Sequence, residues 1–164
     1  MADNIQVTLP CPNLCLRPYL GPERDDFVAL NTDPVARRHM DGPLEHAQAL
    51  ALFDKLLPGG PLHTLVWAVW HQDQWIGHTF ITTTELGWEL GIILQTRAHG
   101  RGLATEAAKA ALTHAAACGR LPVVGSVDDD HAASIRVLEK LGFQLLETRH
   151  DEDGPWRIYR WDGP

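Results

Sequence analysis

Arg97, Gly100 and Gly102 stand in an R-x-x-G-x-G spacing, Arg97-Ala98-His99-Gly100-Arg101-Gly102. The segment joins a strand-like run, Leu90 to Leu94, to an alanine-rich helical pattern that begins at Leu103. A strand, a glycine turn and a helix start in that order make an anion site. The first N–H groups of a helix have no intrahelical partner, and the macrodipole gathers partial positive charge there. Glycine, lacking Cβ, lets a bulky phosphate approach the backbone. Arg97 and Arg101 add two cations in the same turn. Two other phosphate loops fail on composition. A Walker A loop needs Lys followed by Ser or Thr after its second glycine, and neither is present. A dinucleotide fingerprint needs G-x-G-x-x-G/A in a first strand–helix–strand unit. Here Gly100-Arg101-Gly102-Leu103-Ala104-Thr105 ends in threonine and lies mid-chain.

Other chemistry is sparse. Cys11 and Cys15 make half a zinc site at most, since no second Cys or His pair has ligand spacing. The nine histidines are scattered without an H-x-x-x-H, so no metal is expected. Three cysteines make no disulfide framework and read as free thiols. A net charge of -7 argues against nucleic acid as a partner. It does not exclude a local basic pocket at 97–101. The start, MADNIQVTLPCP, lacks a cationic n-region and an apolar h-region. The alanine run 107–117 is broken by Lys109 and His114, and no run approaches the ~18 apolar residues of a membrane span. No membrane association is expected and the cytoplasm is the default.

The elements that must position the loop follow from periodicity. At 164 residues, 45% of them hydrophobic and 21% charged, the chain reads as one domain spanning 1–164 with a core of its own. Leu14-Cys15-Leu16-Arg17-Pro18 alternates and stops at proline, as a first strand does. Pro22 to Leu30 opens a helix with Pro and acids in its first turn. Asn31-Thr32-Asp33-Pro34 breaks it, and Val35 to Met40 reads as one more helical turn. Leu44 to Leu57 carries Ala49, Leu52, Phe53, Leu56 and Leu57 at helical spacing and ends at Pro58-Gly59-Gly60-Pro61. Leu62 to Trp70 and Trp75 to Thr83 form a hairpin across a polar turn at 71–74, and Trp88 to Leu94 adds a third antiparallel strand.

A helix from Leu103 to Cys118 follows the glycine loop and ends at Gly119. Its stripe of Leu103, Ala107, Ala111, Leu112 and Ala115 suits close packing on a sheet. Leu121 to Val127 is a continuous apolar run, the mark of a buried strand. Asp128-Asp129-Asp130 turns into a helix from Ala132 to Leu141, where Asp130 stands as N-cap and Gly142 as C-cap with Phe143 folded back. Phe143 to Arg149 and Trp156 to Trp161 close the chain as two strands across an acidic loop. A strand–helix–strand crossover makes 88–94 and 121–127 parallel, in an otherwise antiparallel sheet. The class is a mixed-sheet α/β domain.

Four stretches together resemble the GNAT (Gcn5-related N-acetyltransferase) superfamily, in its RimJ/RimL-type ribosomal-protein N-terminal acetyltransferase branch. Leu16-Arg17-Pro18 is similar to the branch's opening strand, and Glu89-Leu90-Gly91-Ile92 to its E-I-G-Y element. Arg97 to Thr105 is similar to the acetyl-CoA loop. His131-Ala132-Ala133-Ser134-Ile135-Arg136-Val137-Leu138-Glu139-Lys140-Leu141-Gly142-Phe143 is similar to N-P-A-S-x-R-V-L-E-K-L-G-F. The resemblance covers nearly the whole chain. It implies a predominantly antiparallel sheet with a splayed parallel pair flanked by helices. It also implies acetyl-CoA as cofactor and direct acetyl transfer to an amine, either a peptide N-terminal α-amine or a small-molecule amine. The pyrophosphate is then held by the amides of Ala98, His99, Gly100, Arg101, Gly102 and Leu103, and pantetheine lies along Ile92, Ile93 and Leu94. Residues near Arg37, Arg38 and His39, and near Asp151 to Trp156, would line the acceptor site.

The chemistry asks for a proton acceptor, because an ammonium has no lone pair; an α-amine titrates at ~7.7–8.0 and a lysine at ~10.4. Glu89 is the candidate base, on the same strand face as Gly91 and Ile93; the alternative is a glutamate that only positions substrate. Glu85 is the runner-up, in a turn. An N–H near Ile93 is placed for the oxyanion. Ser134 is the candidate partner of the CoA sulfur, as the N-P-A-S element implies; the alternative is hydrogen bonding at a helix start. Two positions depart from the resemblance. His131 replaces the asparagine, and either bonds pantetheine, titrates near neutrality, or merely starts a helix. Leu138 stands where many relatives carry a tyrosine acid, and Gly91-Ile92 for Gly-Tyr removes an aromatic wall. A non-catalytic acyl-CoA-binding or sensory domain is the alternative of another class. The acidic runs 128–130 and 151–153 either draw a cationic amine or are solvated turns. Monomer and homodimer both remain open.

Overall fold

The alternation Leu65-Val66-Trp67-Ala68-Val69 divides the protein into two cores. In the computed structural model, which describes residues 7–58 and 64–164, Leu65, Trp67 and Val69 pack into one cluster. Val66 and Ala68 pack into another on the opposite face. The elements in order are β1 (Leu9–Pro10), β2 (Cys15–Arg17), α1 (Arg24–Asn31), α2 (His46–Leu56), β3 (Leu65–His71), β4 (Gln74–Thr84), β5 (Gly87–Leu94), α3 (Leu103–Ala117), β6 (Val123–Asp128), α4 (Ala132–Lys140), β7 (Gln144–Asp151) and β8 (Gly154–Trp161). A 3-10 turn at Thr96–Ala98 precedes α3. One eight-stranded sheet runs β1-β2-β3-β4-β5-β6-β8-β7. Only β5 and β6 are parallel, as the crossover through α3 requires.

The α3 face of the sheet buries Leu103, Ala107, Ala108, Ala111, Leu112 and Ala115 with Leu90, Leu94 and Leu138. Four alanines let α3 lie close to the strands. The α1–α2 face buries Phe27, Leu30, Phe53 and Leu56 with Tyr19, Trp75 and Ile93. On β5, Leu90, Ile92 and Leu94 therefore look toward α3, while Ile93, and by alternation Glu89 and Gly91, look toward α1 and α2.

Most sequence expectations hold, with displaced ends. The polar turn at 71–74 tightens to Gln72-Asp73, both at positive φ (50° and 59°), the pattern of a two-residue type I′ hairpin. At the end of α4, Gly142 takes φ 91°, and the Phe143 N–H donates to the Leu138 carbonyl at 3.0 Å, closing a Schellman motif. Two expectations are corrected. Val35 to Met40 forms successive turns rather than a turn of α-helix, because Arg37 bonds inward (below). The N-cap of α4 is His131, not Asp130, since the His131 N–H folds back onto the Asp128 carbonyl at 3.0 Å. β1 was not anticipated; a two-residue strand carries no periodicity. Residues 59–63, with the Gly59-Gly60-Pro61 breaker and the expected strand start at Leu62, lie outside the described residues.

Beneath β5, on the α1–α2 face, His78 is 3% exposed and pairs with Ile93 across the ladder. Its ring sits among Tyr19, Phe27 and Phe80, and neither nitrogen has a hydrogen-bond partner. Burial, with a smaller repulsion from Arg37, pushes its pKa down to about 3. The folded state thus refuses a proton that the unfolded chain accepts near pH 6.5. The stability contributed by the neutral ring is complete above that pH and is lost as pH falls toward 3. Between pH 6.5 and 5 the loss should be on the order of 2 kcal/mol. His78→Leu should flatten that limb and raise Tm at neutral pH; chemical denaturation at pH 7 and pH 5 reads both.

Candidate functional site

The site lies where the parallel pair parts. β5 and β6 are in register only at Trp88↔Val123 and Glu89↔Val124. β5 continues to Leu94 paired with β4 alone, and β6 continues to Asp128 paired with β8 alone. A gap therefore opens inside the sheet, and among the described residues the β6-facing edge of β5 from Gly91 to Leu94 has no strand against it. An extended molecule carrying amide groups fits such an edge as a further strand would. Two β5 carbonyls are already taken, one from the β4 side and one at the end of the strand. Thr79 Oγ1 donates to the Gly91 carbonyl at 3.0 Å, and His99 Nε2 lies 3.0 Å from the Leu94 carbonyl.

At the C-terminal end of β5 the chain passes Ala98 and His99, whose N–H groups bond back to Gln95 and Thr96. Gly100 and Gly102 both take left-handed φ (73° and 74°), and Gly102 is the N-cap of α3. The first helical bond runs from the Glu106 N–H to the Gly102 carbonyl at 3.2 Å. The amides of Leu103, Ala104 and Thr105 precede it and have no intrahelical acceptor. The two arginines play different parts from the two glycines. Arg97 donates to Gln95 Oε1 (2.6 Å), Gln74 Oε1 (2.8 Å) and the Trp75 carbonyl (3.2 Å), so it ties the loop to the start of β4. Arg101 reaches His71 Nε2 at 3.1 Å. Both charges stay within a Debye length of the helix start and still favour an anion there.

On the α1–α2 face, the residues of β6 flanking the gap are Ser126 and Asp128, opposite Glu89 of β5. Ser126 Oγ donates a hydrogen bond to Glu89 Oε1 across the gap. Asp128 Oδ2 lies 2.7 Å from Nδ1 of His39, which comes from the turns between α1 and α2. Arg38 Nε donates to His39 Nε2 at 3.2 Å, so the neutral His39 ring carries its proton on Nδ1. His39 stacks on His131 with ring centroids 3.9 Å apart and planes 14° apart. His131 Nε2 is 3.2 Å from Ser134 Oγ in the first turn of α4. Burial lowers the His131 pKa, helped by the neighbouring His39. The acidic turn is thus no mere solvated loop: Asp129 pairs with Arg157 at 2.6 Å. Among the described residues, His39, Asp128 and Asp130 bring possible metal-ligand atoms within 4.8 Å of one another.

The structure gathers Glu89, His131 and Ser134, with the loop 98–103, around one gap, and it adds Ser126 and Asp128. Ser126 lay unmarked in an apolar strand, and only a β6 register could have pointed to it. Arg37 turns away from the site: its guanidinium donates to the Gly42 and Met40 carbonyls and to Asn31 Oδ1, holding the α1–α2 connection in shape. Leu138 is buried on Gly125, where a Cβ would come within 2.9 Å of its Cδ2. The position that would carry a tyrosine acid in many relatives is here aliphatic packing. On the opposite face from Ile92, an aromatic from the neighbouring strand covers β5. The Phe80 ring crosses Gly91 so closely that a Cβ there would meet Cζ at 2.1 Å.

Residues 13–144 match the family model "Acetyltransferase (GNAT) domain". Among solved structures, an acetyltransferase from Agrobacterium tumefaciens str. C58 superposes with a TM-score of 0.80 at 24% identity, covering 94% of each chain. An acetyltransferase of Salmonella typhimurium that modifies the N-terminal serine of a 50S ribosomal subunit protein gives 0.82 at 15% identity, covering 96% of this chain and 100% of that one. A RimL ribosomal-protein α-N-acetyltransferase in complex with coenzyme A gives 0.81 at 16% identity, covering 96% and 98%. Among the described residues, no helix is long and apolar enough to cross a membrane.

Proposed function

The chain belongs to the GNAT acetyltransferase family, enzymes that transfer acetyl groups from acetyl-CoA, and from that premise we propose that it acetylates a primary amine by direct transfer, with Glu89 as base and Ser134 beside the sulfur. The observation that carries this reading is the gap between β5 and β6 with an uncapped helix start at one end. The gap has the shape and hydrogen-bonding edge for a pantetheine arm along Ile92, Ile93 and Leu94. The amides from Gly100 to Leu103 stand at the end where a pyrophosphate would lie; those of Ala98 and His99, expected from the sequence to join them, are spent on the Gln95 and Thr96 carbonyls. Ser134, in the first turn of α4, supports a hydrogen bond to sulfur.

The acceptor enters from the α1–α2 face, where Glu89 looks. Glu89 accepts the proton that an ammonium must lose before its nitrogen can attack, and Ser126 fixes the carboxylate's orientation. The N–H near Ile93 then stabilises the oxyanion. Peptide N-termini and small amines both satisfy this chemistry; the ribosomal-protein acetyltransferases among the structural neighbours support the former.

Thiol release from acetyl-CoA across a panel of N-terminal peptides and small amines tests the reading. Amine-dependent release is the expected result, and a protein whose Tm is unmoved by acetyl-CoA would refute it. Gly102→Val probes the loop. An added side chain at Gly102 meets nothing within 4 Å inside the protein and projects into the space before the helix start. The left-handed φ costs ~1–2 kcal/mol, which lowers Tm modestly. The shift in Tm produced by acetyl-CoA should vanish.

A further inference from the structure

Acetylation removes two protons from an ammonium nitrogen: R–NH3⁺ and the thioester give the amide, the free thiol and one proton. The N–C bond forms and the C–S bond breaks; one proton leaves to solvent and the other must reach sulfur. On the reading above, Glu89 handles the first, and the two ends of the second lie on opposite faces of the sheet. The nitrogen arrives on the α1–α2 face and Ser134 sits on α4, on the α3 face. A stack of two rings lies between them, and ring faces pass no proton, so the two ends exchange protons with solvent. His39 belongs to the α1–α2 face and His131 to the start of α4, and their rings meet past the end of β6.

We propose that His39 takes the second proton from the acceptor nitrogen on Nε2 and gives it up to solvent, the departing thiolate drawing its own proton from solvent beside Ser134, with Asp128 and His131 as the positioning residues of His39. Asp128 holds the proton on Nδ1 and so leaves the Nε2 lone pair as acceptor. Arg38, on an exposed part of the same connection, covers that lone pair at 3.2 Å and must swing aside for the acceptor. His131 fixes the ring plane from below and bonds Ser134, so His39 is one ring away from the residue assigned to sulfur. The charged and titratable groups facing His39 are Arg38 from its own connection, Asp128 and Asp130 from the β6–α4 turn, and His131 from α4.

The inference rests on the acetyltransferase reading and is tested on protein that shows amine-dependent thiol release. His39→Gln and His39→Ala should each lower kcat ~10²-fold, with the acetyl-CoA-induced shift in Tm retained, and added imidazole should restore rate to His39→Ala. Asp128→Asn should lower kcat by roughly tenfold or more through the wrong tautomer. Nitrogen NMR of the unliganded protein should then show His39 protonated on Nε2 in place of Nδ1. Four results would overturn the proposal: His39→Gln retaining kcat to within about threefold, no imidazole rescue, an unchanged tautomer in Asp128→Asn, or activity abolished by EDTA and restored by zinc. The last would give the His39–Asp128–Asp130 cluster to a metal. Parent protein that binds acetyl-CoA but releases no thiol with any amine refutes the acetyltransferase reading first and this proposal with it.

Discussion

Glu89→Gln is expected to lower kcat by ~10²- to 10⁴-fold, the range for removing a positioned general base, while acetyl-CoA still raises Tm. Glutamine keeps the shape and can still bond Ser126, so the fold and the gap survive. What disappears is the charge that accepts a proton from the ammonium. The loss should be largest below the acceptor's own pKa and should shrink as pH rises, because the free amine then arrives without help. An α-amine, at ~7.7–8.0, would recover at lower pH than a lysine at ~10.4, so the same profile reports the acceptor class. A variant with kcat within about threefold of the parent would make Glu89 a positioning carboxylate and leave the base elsewhere.

Gly77→Ala should be the most destabilising small substitution near the site. A Cβ at Gly77 would lie 2.2 Å from the Ile93 carbonyl oxygen and 2.8 Å from Leu94 Cα, both backbone atoms of β5. Backbone in a paired strand cannot swing away as a side chain can. Overpacking of this kind costs ~1–3 kcal/mol, and the positive φ of 153° adds strain, so about 3 kcal/mol or more is expected, roughly 10 °C in Tm. The part of β5 it displaces is the edge proposed for pantetheine, so acetyl-CoA affinity should fall with stability. Gly91→Ala is the informative contrast. The three atoms nearest its Cβ all belong to the Phe80 ring, a side chain and not paired backbone, so it should cost less. Differential scanning fluorimetry with and without acetyl-CoA separates the two; equal losses at both positions would show that β5 yields as easily as Phe80.

The linear order of the elements was legible because each carries a local signal. Alternation over 65–69, helical spacing through Ala49, Phe53 and Leu56, and the Gly119 and Gly142 caps act within a few residues of chain. The glycine loop was legible for the same reason: its glycines, its arginines and its helix start are contiguous. Arg97 shows the limit. Its type and place suggested a phosphate ligand, but its donors go to Gln74, Gln95 and the Trp75 carbonyl, partners up to 23 residues away that no motif announces. Arg37 and Leu138 were settled the same way, one by the carbonyls it gathers and the other by the glycine beneath it.

By itself the sequence determined a mixed α/β chain with one parallel crossover, a glycine turn at Gly100 and Gly102 that opens a helix, and a glutamate on the strand leading to it. All of that depends on spacing along the backbone, which folding does not alter. Only the tertiary structure decided that β5 and β6 separate after Glu89↔Val124. It also decided that Ser126 faces Glu89, and that His39, 92 positions before His131 in the chain, stacks on it. Those are contacts between segments that become neighbours only when two cores close on the two faces of one sheet, so no local pattern records them.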